Sequence, residues 1–427
     1  MIRVLLSLLY IFVCSNVLFS QKTNYEKFFD KIEKDSFMYF WELYDEKLGL
    51  IPDSSRGGSP CSIAAVGFGL TAFCIGVERG WVAKNQAYLR IYKTLKTFFY
   101  KLTNQNGFFY HFLDMETGER VWDCEVSTID TALFLAGAIV AGEYFKGTEI
   151  ENMVDKIYDR IDWQWALNNR NVLCMGWKPE TGFLPYYWDT YSEHIILYAL
   201  AIGAKKNAIP EECWYAWKRR KAKYEEYEFV ACPTGSLFAY QYSHAYIDFR
   251  NIFDKYDGIN YFENSKIATL VNKKFCEKRK YKYKTYAEGF WGLTACIGPD
   301  GYKGYGSSPG AFHDGTVAPS AVAGSIMFTP DVCIPSLKLI YDKIKDKVYC
   351  KYGFINSFNL DHDWFADECL GIDTGITLLS IENYRSGFVW KYFMNNPKIK
   401  KFISLCFEKR KIKKKASGYF CNHHLVI

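Results

Sequence analysis

The chain has 427 residues and a formal net charge of +6 at pH 7, but residues 395–427 hold nine Lys/Arg against one Glu, which leaves the rest at −2. A body of that charge is not a basic nucleic-acid-binding surface. Aromatic residues make up 18%, with 33 Tyr, 33 Phe and 12 Trp. Tyr and Trp offer flat apolar faces with a polar handle, which suits sugar rings, although an AT-rich gene would favour Tyr and Phe codons as well.

Residues 1–20, MIRVLLSLLYIFVCSNVLFS, have a positive Arg3, an apolar run and a small residue at Ser20, the pattern of a cleaved export signal. The expectation is an exported protein, periplasmic or extracellular, with an uncleaved membrane anchor as the alternative. From Tyr25 the spacing becomes helical: Tyr25, Phe28, Phe29, Ile32 and Phe40 trace one face, and Tyr88, Ile91, Leu95, Phe98 and Leu102 another. The run CSIAAVGFGLTAFCIGVERGW is apolar nearly all round, as are 131–142, 194–204, 317–327 and 371–381. Between them lie one-sided segments such as ENMVDKIYDRIDWQWAL and FENSKIATLVNKKFCEKR. A helix apolar on every side is buried, and one with a single stripe is peripheral. Their alternation predicts an all-α architecture of inner and outer helices, an α/α toroid. Extended candidates are few: GFFYHFLD and ERVWDCEV flank a turn at METG, and NVLCMGW follows. The Gly-rich loop 298–316, with His313, is long enough to suggest a functional role. Fourteen cysteines include no C-x-x-C and mostly sit among small or apolar residues, so they read as buried hydrophobes with at most one or two bridges. The basic residues from 401 to 427 read as a tail outside a single domain spanning 21–400.

Chemistry gathers at two predicted helix starts. Asp123 and Glu125 precede the buried run at 131–142, with Ser127 or Thr128 as its cap. Glu193 is expected in the first turn of the run at 194–204, with Asp189 or Thr190 as its cap. Acids in a first turn commonly serve only the helix dipole, by about 0.3–1 kcal/mol. Their company argues for more: Trp122 beside the first, and Trp177, Tyr186, Tyr187, Trp188 and Tyr191 around the second. In a toroid the inner helices start at one end, which would bring Glu125 and Glu193 together across 68 residues of sequence. Two carboxylates among aromatic platforms are what glycoside hydrolysis requires, one protonating the leaving oxygen and the other activating water or attacking the sugar. In YQYSHAYIDFRN, His244 and Arg250 are candidates to bind sugar hydroxyls or orient an acid, although Arg250 could equally pair with Asp248. Arg56 is a further candidate cation. No H-x-x-x-H, nucleophile elbow or phosphate loop occurs, so neither a metal nor a cofactor is expected.

Six segments, in order, resemble the bacterial glycoamylase-like domain family, which includes the endo-β-1,2-glucanases of glycoside hydrolase family 144. They are CSIAAVGFGLTAFCIGVERGW, EVSTIDTALFLAG, YYWDTYSEHIILYALAIG, YQYSHAYIDFRN, HDGTVAPSAVAGSIMFTPD and LGIDTGITLLSIENYRSGFVWKYFM, covering about residues 25–394. The resemblance implies an (α/α)6 toroid with short strands at the active-site end. It also implies metal-free inverting hydrolysis of a glucan, most plausibly β-1,2-linked, with Glu125 and Glu193 as essential acids in either order and Asp123 as a weaker match. The partner would be a glucan polysaccharide or oligosaccharide, with no stable protein partner implied. A glucoamylase-like enzyme on another glucan, or a non-catalytic glycan-binding protein, would use the same cleft.

Overall fold

The computed structural model describes residues 25–307 and 312–410; the expected export signal at 1–20 and the chain beyond 410 lie outside the described residues. The helices in chain order are α1 (residues 25–42), α2 (Ile63–Glu78), α3 (Lys84–Tyr100), α4 (Thr128–Tyr144), α5 (Glu149–Asp159), α6 (Ile195–Gly203), α7 (Cys213–Ala216), α8 (Tyr242–Tyr246), α9 (Tyr261–Glu277), α10 (Lys284–Ala287), α11 (Pro319–Ala323), α12 (Pro330–Val348), α13 (Gly371–Arg385), α14 (Phe388–Phe393) and α15 (Pro397–Cys406). The strands between them are only two to four residues long and form two- and three-stranded sheets. The molecule is therefore α-rich with small β patches.

Six helices form the centre. α6, α8 and α11 are buried at every residue, and α2, α4 and α13 over most of their length. α2 packs on α4 and α13, α4 on α6, α6 on α8, and α13 on both α8 and α11. The tightest approach is glycine on glycine. A Cβ on Gly137 of α4 would sit 1.8 Å from the Gly67 carbonyl oxygen of α2, and one on Gly67 would sit 2.3 Å from the Leu133 carbonyl oxygen. Any side chain here would push the two backbones apart, at a cost of about 1–3 kcal/mol. Peripheral helices bury one stripe, as α3 does through Ala87, Ile91, Leu95 and Phe98 and α5 through Ile150, Met153, Val154 and Ile157. Phe98 stacks on Phe134 of α4 with ring centroids 3.8 Å apart. Arg385 of α13 ties in α1 through Glu26 and Asp30, each at 2.8 Å, and through Glu33.

Two central helices grow directly out of strands. Cys61–Ser62 pairs with Phe112–Leu113, and Ser62 Oγ accepts the Ala65 N–H to cap α2. Val126–Ser127 pairs with Gly176–Lys178, and Ser127 Oγ accepts the Asp130 N–H to cap α4. α6 starts differently from expectation. It begins at Ile195, so Glu193 lies just before the helix rather than in its first turn, and neither Asp189 nor Thr190 caps it. The cap comes from α8 instead: Ser243 Oγ accepts the Ile196 N–H at 2.9 Å and donates to the Glu193 carbonyl at 2.5 Å.

The fold also continues past residue 400. α15 buries Ile399, Phe402 and Cys406, and Phe407–Lys409 pairs antiparallel with Ile252–Asp254. Apolar residues at helical spacing among the lysines explain why the boundary expected at 400 falls inside a packed element. All twelve cysteines among the described residues are free thiols, and eleven are buried. No described helix is long and apolar enough to cross a membrane.

Candidate active site

The starts of α2, α4, α6 and α13 meet at one cavity of ≈ 750 Å³. Its wall includes five carboxylates, Asp53, Glu125, Asp130, Glu193 and Glu368, together with His111 and the rings of Phe112, Trp122, Tyr186, Trp188, Phe238, Tyr242 and Tyr302. Trp122 and Tyr186 are 69% and 63% exposed and form a lip. Trp188 is buried and donates its indole N–H to Thr128 Oγ1 at 3.1 Å, which fixes the ring against the start of α4. Tyr302 comes from the hairpin Ala295–Gly298/Gly301–Gly304.

Glu125 is held by a local break in register. Leu113 bridges to Arg120 and Tyr110 to Val126, so two residues on one strand face five on the other. The surplus is taken up where Trp122 and Asp123 adopt left-handed backbone, φ +57° and +47°. That excursion projects Trp122 to the lip and returns Glu125 beside His111. The His111 N–H donates to the Glu125 carbonyl at 3.0 Å, and His111 Nδ1 lies 3.1 Å from Glu125 Oε1. On the other side of the ring, His111 Nε2 is 3.6 Å from Asp130 Oδ2. Asp130 in turn accepts from Ser127 Oγ at 2.5 Å.

The charges follow from these contacts. Burial opposes a proton on His111, but Asp130, Glu125 and Asp53 together outweigh it and lift the imidazole to about 9. His111 is therefore a cation at neutral pH. Its hydrogen bond to Glu125 holds that carboxyl below the usual range, against a smaller opposing effect of burial. Glu193 is the opposite case. Burial raises it from 4.5 to about 7, the Asp130 charge adds to that, and the adjacent Ser192 hydroxyl only partly offsets it. Asp53 is also raised, to about 6, chiefly by burial. The cavity thus holds one carboxyl kept ionised and another kept protonated, an arrangement that can donate a proton at one point and accept one at another. The described residues contain no cluster of three or more His, Cys, Asp or Glu suited to a metal ion.

Of the residues singled out in the sequence, Glu125, Glu193, Trp122, Tyr186 and Trp188 share this wall. The others lie elsewhere. Asp123 is exposed beside Trp122, outside the wall. Arg56 is also outside it, but lies 2.5 Å from Asp367 and 3.6 Å from Glu368, so it braces a wall residue from behind. Trp177 packs edge-on against Trp165. Tyr187 accepts from Asn168 Nδ2 at 2.8 Å under the Arg170 guanidinium. Tyr191 is core, stacked on Tyr261. His244 is buried between Phe249 and Phe328, hydrogen-bonded to Ser265, and burial pulls it down to about 3. Arg250 lines a separate hollow of ≈ 1070 Å³, where Asp248 takes its guanidinium at 2.8 and 2.7 Å and Trp390 stacks beneath it. Neither residue lines the cavity. In the loop 298–316, Tyr302 faces the cavity, whereas His313 packs on Phe275 and Tyr283. His111, Asp53, Glu368 and Tyr302 join the wall without having been marked by the sequence. The extended segment carrying His111 was legible, but the re-registration that pairs it with Glu125 was not.

An α-rich fold with a carboxylate-lined, aromatic-lipped cavity defines the class, and comparison supplies the family. Residues 185–397 match the Glycoamylase family model, described as "Putative glucoamylase". The region 185–397 belongs to this glycoamylase-like family. An exo β-1,2-glucooligosaccharide sophorohydrolase (non-reducing end) of Parabacteroides distasonis is 27% identical over 417 residues, covering 88% of this chain. The chain spans 57% of that relative's length. The crystal structure of a "putative glucoamylase" from Bacteroides uniformis superposes with a TM-score of 0.85 at 27% identity, covering 90% of this chain and 98% of the other. The endo-β-1,2-glucanase of Chitinophaga pinensis, in complex with sophorotriose and glucose, gives 0.84 at 26% identity, covering 90% and 99%.

Proposed function

We propose that the protein is a glycoside hydrolase that cleaves β-1,2-linked glucan with inversion, and that its six buried helices and their outer partners close as an (α/α)6 toroid. The observation that carries this reading is the pair of unlike carboxyls on one cavity wall, Glu125 bonded to His111 and Glu193 bonded only to Ser192 among the described residues, with Glu125 pushed down by His111 and Glu193 pushed up by burial. Glu193 acts as general acid and gives its proton to the departing glycosidic oxygen. Glu125, kept ionised by His111, takes a proton from the water that attacks the anomeric carbon from the opposite face. The exposed rings of Trp122 and Tyr186 carry sugar faces into the site. The relatives named above as β-1,2-glucan and β-1,2-glucooligosaccharide hydrolases support the choice of linkage. The export pattern at residues 1–20 supports a periplasmic or extracellular site of action.

The test is to incubate the purified protein with α-1,4-, β-1,3-, β-1,4- and β-1,2-glucans and resolve the products by chromatography and NMR. Release of α-anomeric products from β-1,2-glucan alone is expected. Retained β-configuration would overturn the inverting assignment, and cleavage of another linkage only would overturn the substrate. Saturable binding with no new reducing ends would replace the enzyme reading with a glycan-binding one.

A further inference from the structure

Behind the cavity wall two cysteines meet. Cys350 Sγ lies 3.2 Å from Cys369 Sγ. Cys350 belongs to the hairpin Tyr349–Cys350/Gly353–Phe354, and Cys369 follows the wall residue Glu368 and precedes Leu370, at the start of α13. Cys350 is exposed, alone among the described cysteines, and Cys369 is buried. Cys369 is firmly placed. Its N–H donates to Ser55 Oγ at 2.9 Å, its carbonyl accepts the Ser55 N–H at 2.9 Å, and its thiol points to the Phe354 carbonyl of the hairpin at 3.3 Å.

We propose that Cys350 and Cys369 are a dithiol site that takes a disulfide-form oxidant and closes into a bridge locking the hairpin to the cavity-wall segment. The oxidant is a small-molecule disulfide or a thiol oxidoreductase in its disulfide form. The Cys350 thiolate attacks one sulfur of that disulfide, forming a mixed disulfide and releasing one thiolate. The Cys369 thiol then loses its proton, attacks Cys350 Sγ and releases the second thiolate. Two protein thiols are oxidised, one external disulfide is reduced to two thiols, and the two protons pass to the departing sulfurs. The division of labour follows from access, since only the exposed thiol can meet the oxidant and only the buried neighbour is in line to resolve it. The hydrogen bond from Cys369 also holds the Cys350 thiol below its usual range, which favours the thiolate. Closing the sulfurs to a bond of about 2 Å requires a movement of roughly one ångström by a two-residue turn.

The experiment treats the fully reduced protein with oxidised glutathione, alkylates free thiols, and maps peptides by mass spectrometry without reduction. A Cys350–Cys369 cross-linked peptide is expected, with the remaining core cysteines alkylated only after unfolding. Cys369→Ser should trap a stable glutathione adduct on Cys350, and Cys350→Ser should give neither bridge nor adduct at Cys369. The bridged form should melt roughly 3 °C above the reduced form, a shift absent from both serine variants. Two free thiols in the treated wild type, or an adduct on Cys350 that persists while Cys369 stays free, would overturn the proposal. Circular dichroism of each variant separates these outcomes from misfolding.

Discussion

Arg219 and Asp254 are among the most buried charges in the molecule, yet every contact there is already made. Asp254 Oδ2 accepts from Arg219 at 3.0 Å, from the Trp214 indole at 3.1 Å and from the Tyr261 hydroxyl at 2.8 Å, and Oδ1 accepts the Tyr256 N–H at 2.8 Å. Arg219 also meets Asp257 at 3.1 Å and the Tyr261 hydroxyl at 3.0 Å, donates to the Trp217 and Trp214 carbonyls, and stacks on the Trp217 ring. The cavity is the opposite. Glu193 has one side-chain partner among the described residues, the hydroxyl of its neighbour Ser192, and faces a void with four other acids. Buried charge alone does not mark a functional site. Hydrogen-bonding capacity left unsatisfied and facing a cavity does, because only such a group can exchange a proton with a ligand.

The sharpest way to break this contrast is to neutralise one acid on each side. Glu193→Gln should lower kcat on β-1,2-glucan by about 10²–10⁴-fold, with KM within a few-fold and an unchanged circular dichroism spectrum. A variant that keeps wild-type kcat would remove Glu193 from the chemistry. Asp254→Ala should do the reverse. It leaves Asp257, at 3.1 Å, as the remaining carboxylate at Arg219 and strips the Trp214 indole and the Tyr261 hydroxyl of their buried acceptor, and losing one partner of a buried pair costs up to about 3–5 kcal/mol. Chemical denaturation would show that loss while kcat per folded molecule stays the same. If Asp254→Ala instead impaired turnover without touching stability, the division between the two regions would be false.

Much of this was readable before any coordinates. Helices apolar on every side announced the centre, and Ser127 or Thr128 was expected to cap α4, of which Ser127 does. Glu125 and Glu193 could be nominated because a lone acid at a helix start commonly serves only the dipole, whereas two of them among aromatic residues, in segments that resemble a glycan-hydrolase family, suggest a working pair. What stayed hidden was set by distant segments. The α6 cap comes from Ser243, 47 residues further on, so local capping residues misplaced Glu193 relative to its helix. The His111–Glu125 contact depends on a strand excursion at Trp122–Asp123 that no hydrophobic period records. His244 and Arg250 carry suggestive chemistry, but His244 sits on α8, wedged among central helices, and bonds to Ser265, while Arg250, four residues past the end of α8, pairs with Asp248.

A smaller effect sharpens the comparison from the stability side. The Glu193 carboxyl titrates near 7 in the folded chain and near its ordinary 4.5 when unfolded. Between those values the folded state holds a proton that the unfolded state has released. Stability therefore declines as pH rises through this window and levels off above it. Glutamine does not titrate, so the stability of Glu193→Gln relative to wild type should improve from pH 4.5 to pH 7, by at most about 3 kcal/mol and less as cavity water screens the charge. Denaturation curves at pH 4, 6 and 8 would measure it. A constant difference across that range would mean that Glu193 is not held protonated by the fold.

His111→Gln is the mildest of these perturbations and the most specific. Gln can still hydrogen-bond Glu125 but cannot supply the positive charge that keeps it ionised. Losing the charge-assisted part of that bond, about 1.5 kcal/mol, should lower kcat/KM at the optimum by roughly tenfold. The informative readout is the shape of the pH profile. On the proposed roles, the acidic limb in the wild type should belong to Glu125 as base and the basic limb, near 7, to Glu193 as acid. Because His111 is itself a cation up to about 9, its own titration lies outside this range. The substitution should therefore move the acidic limb to higher pH and leave the basic limb in place, narrowing the bell from one side. Movement of the basic limb alone would exchange the two roles, and an unmoved acidic limb would transfer the base to another wall carboxylate, with Asp53 the nearest alternative by its own coupling to His111.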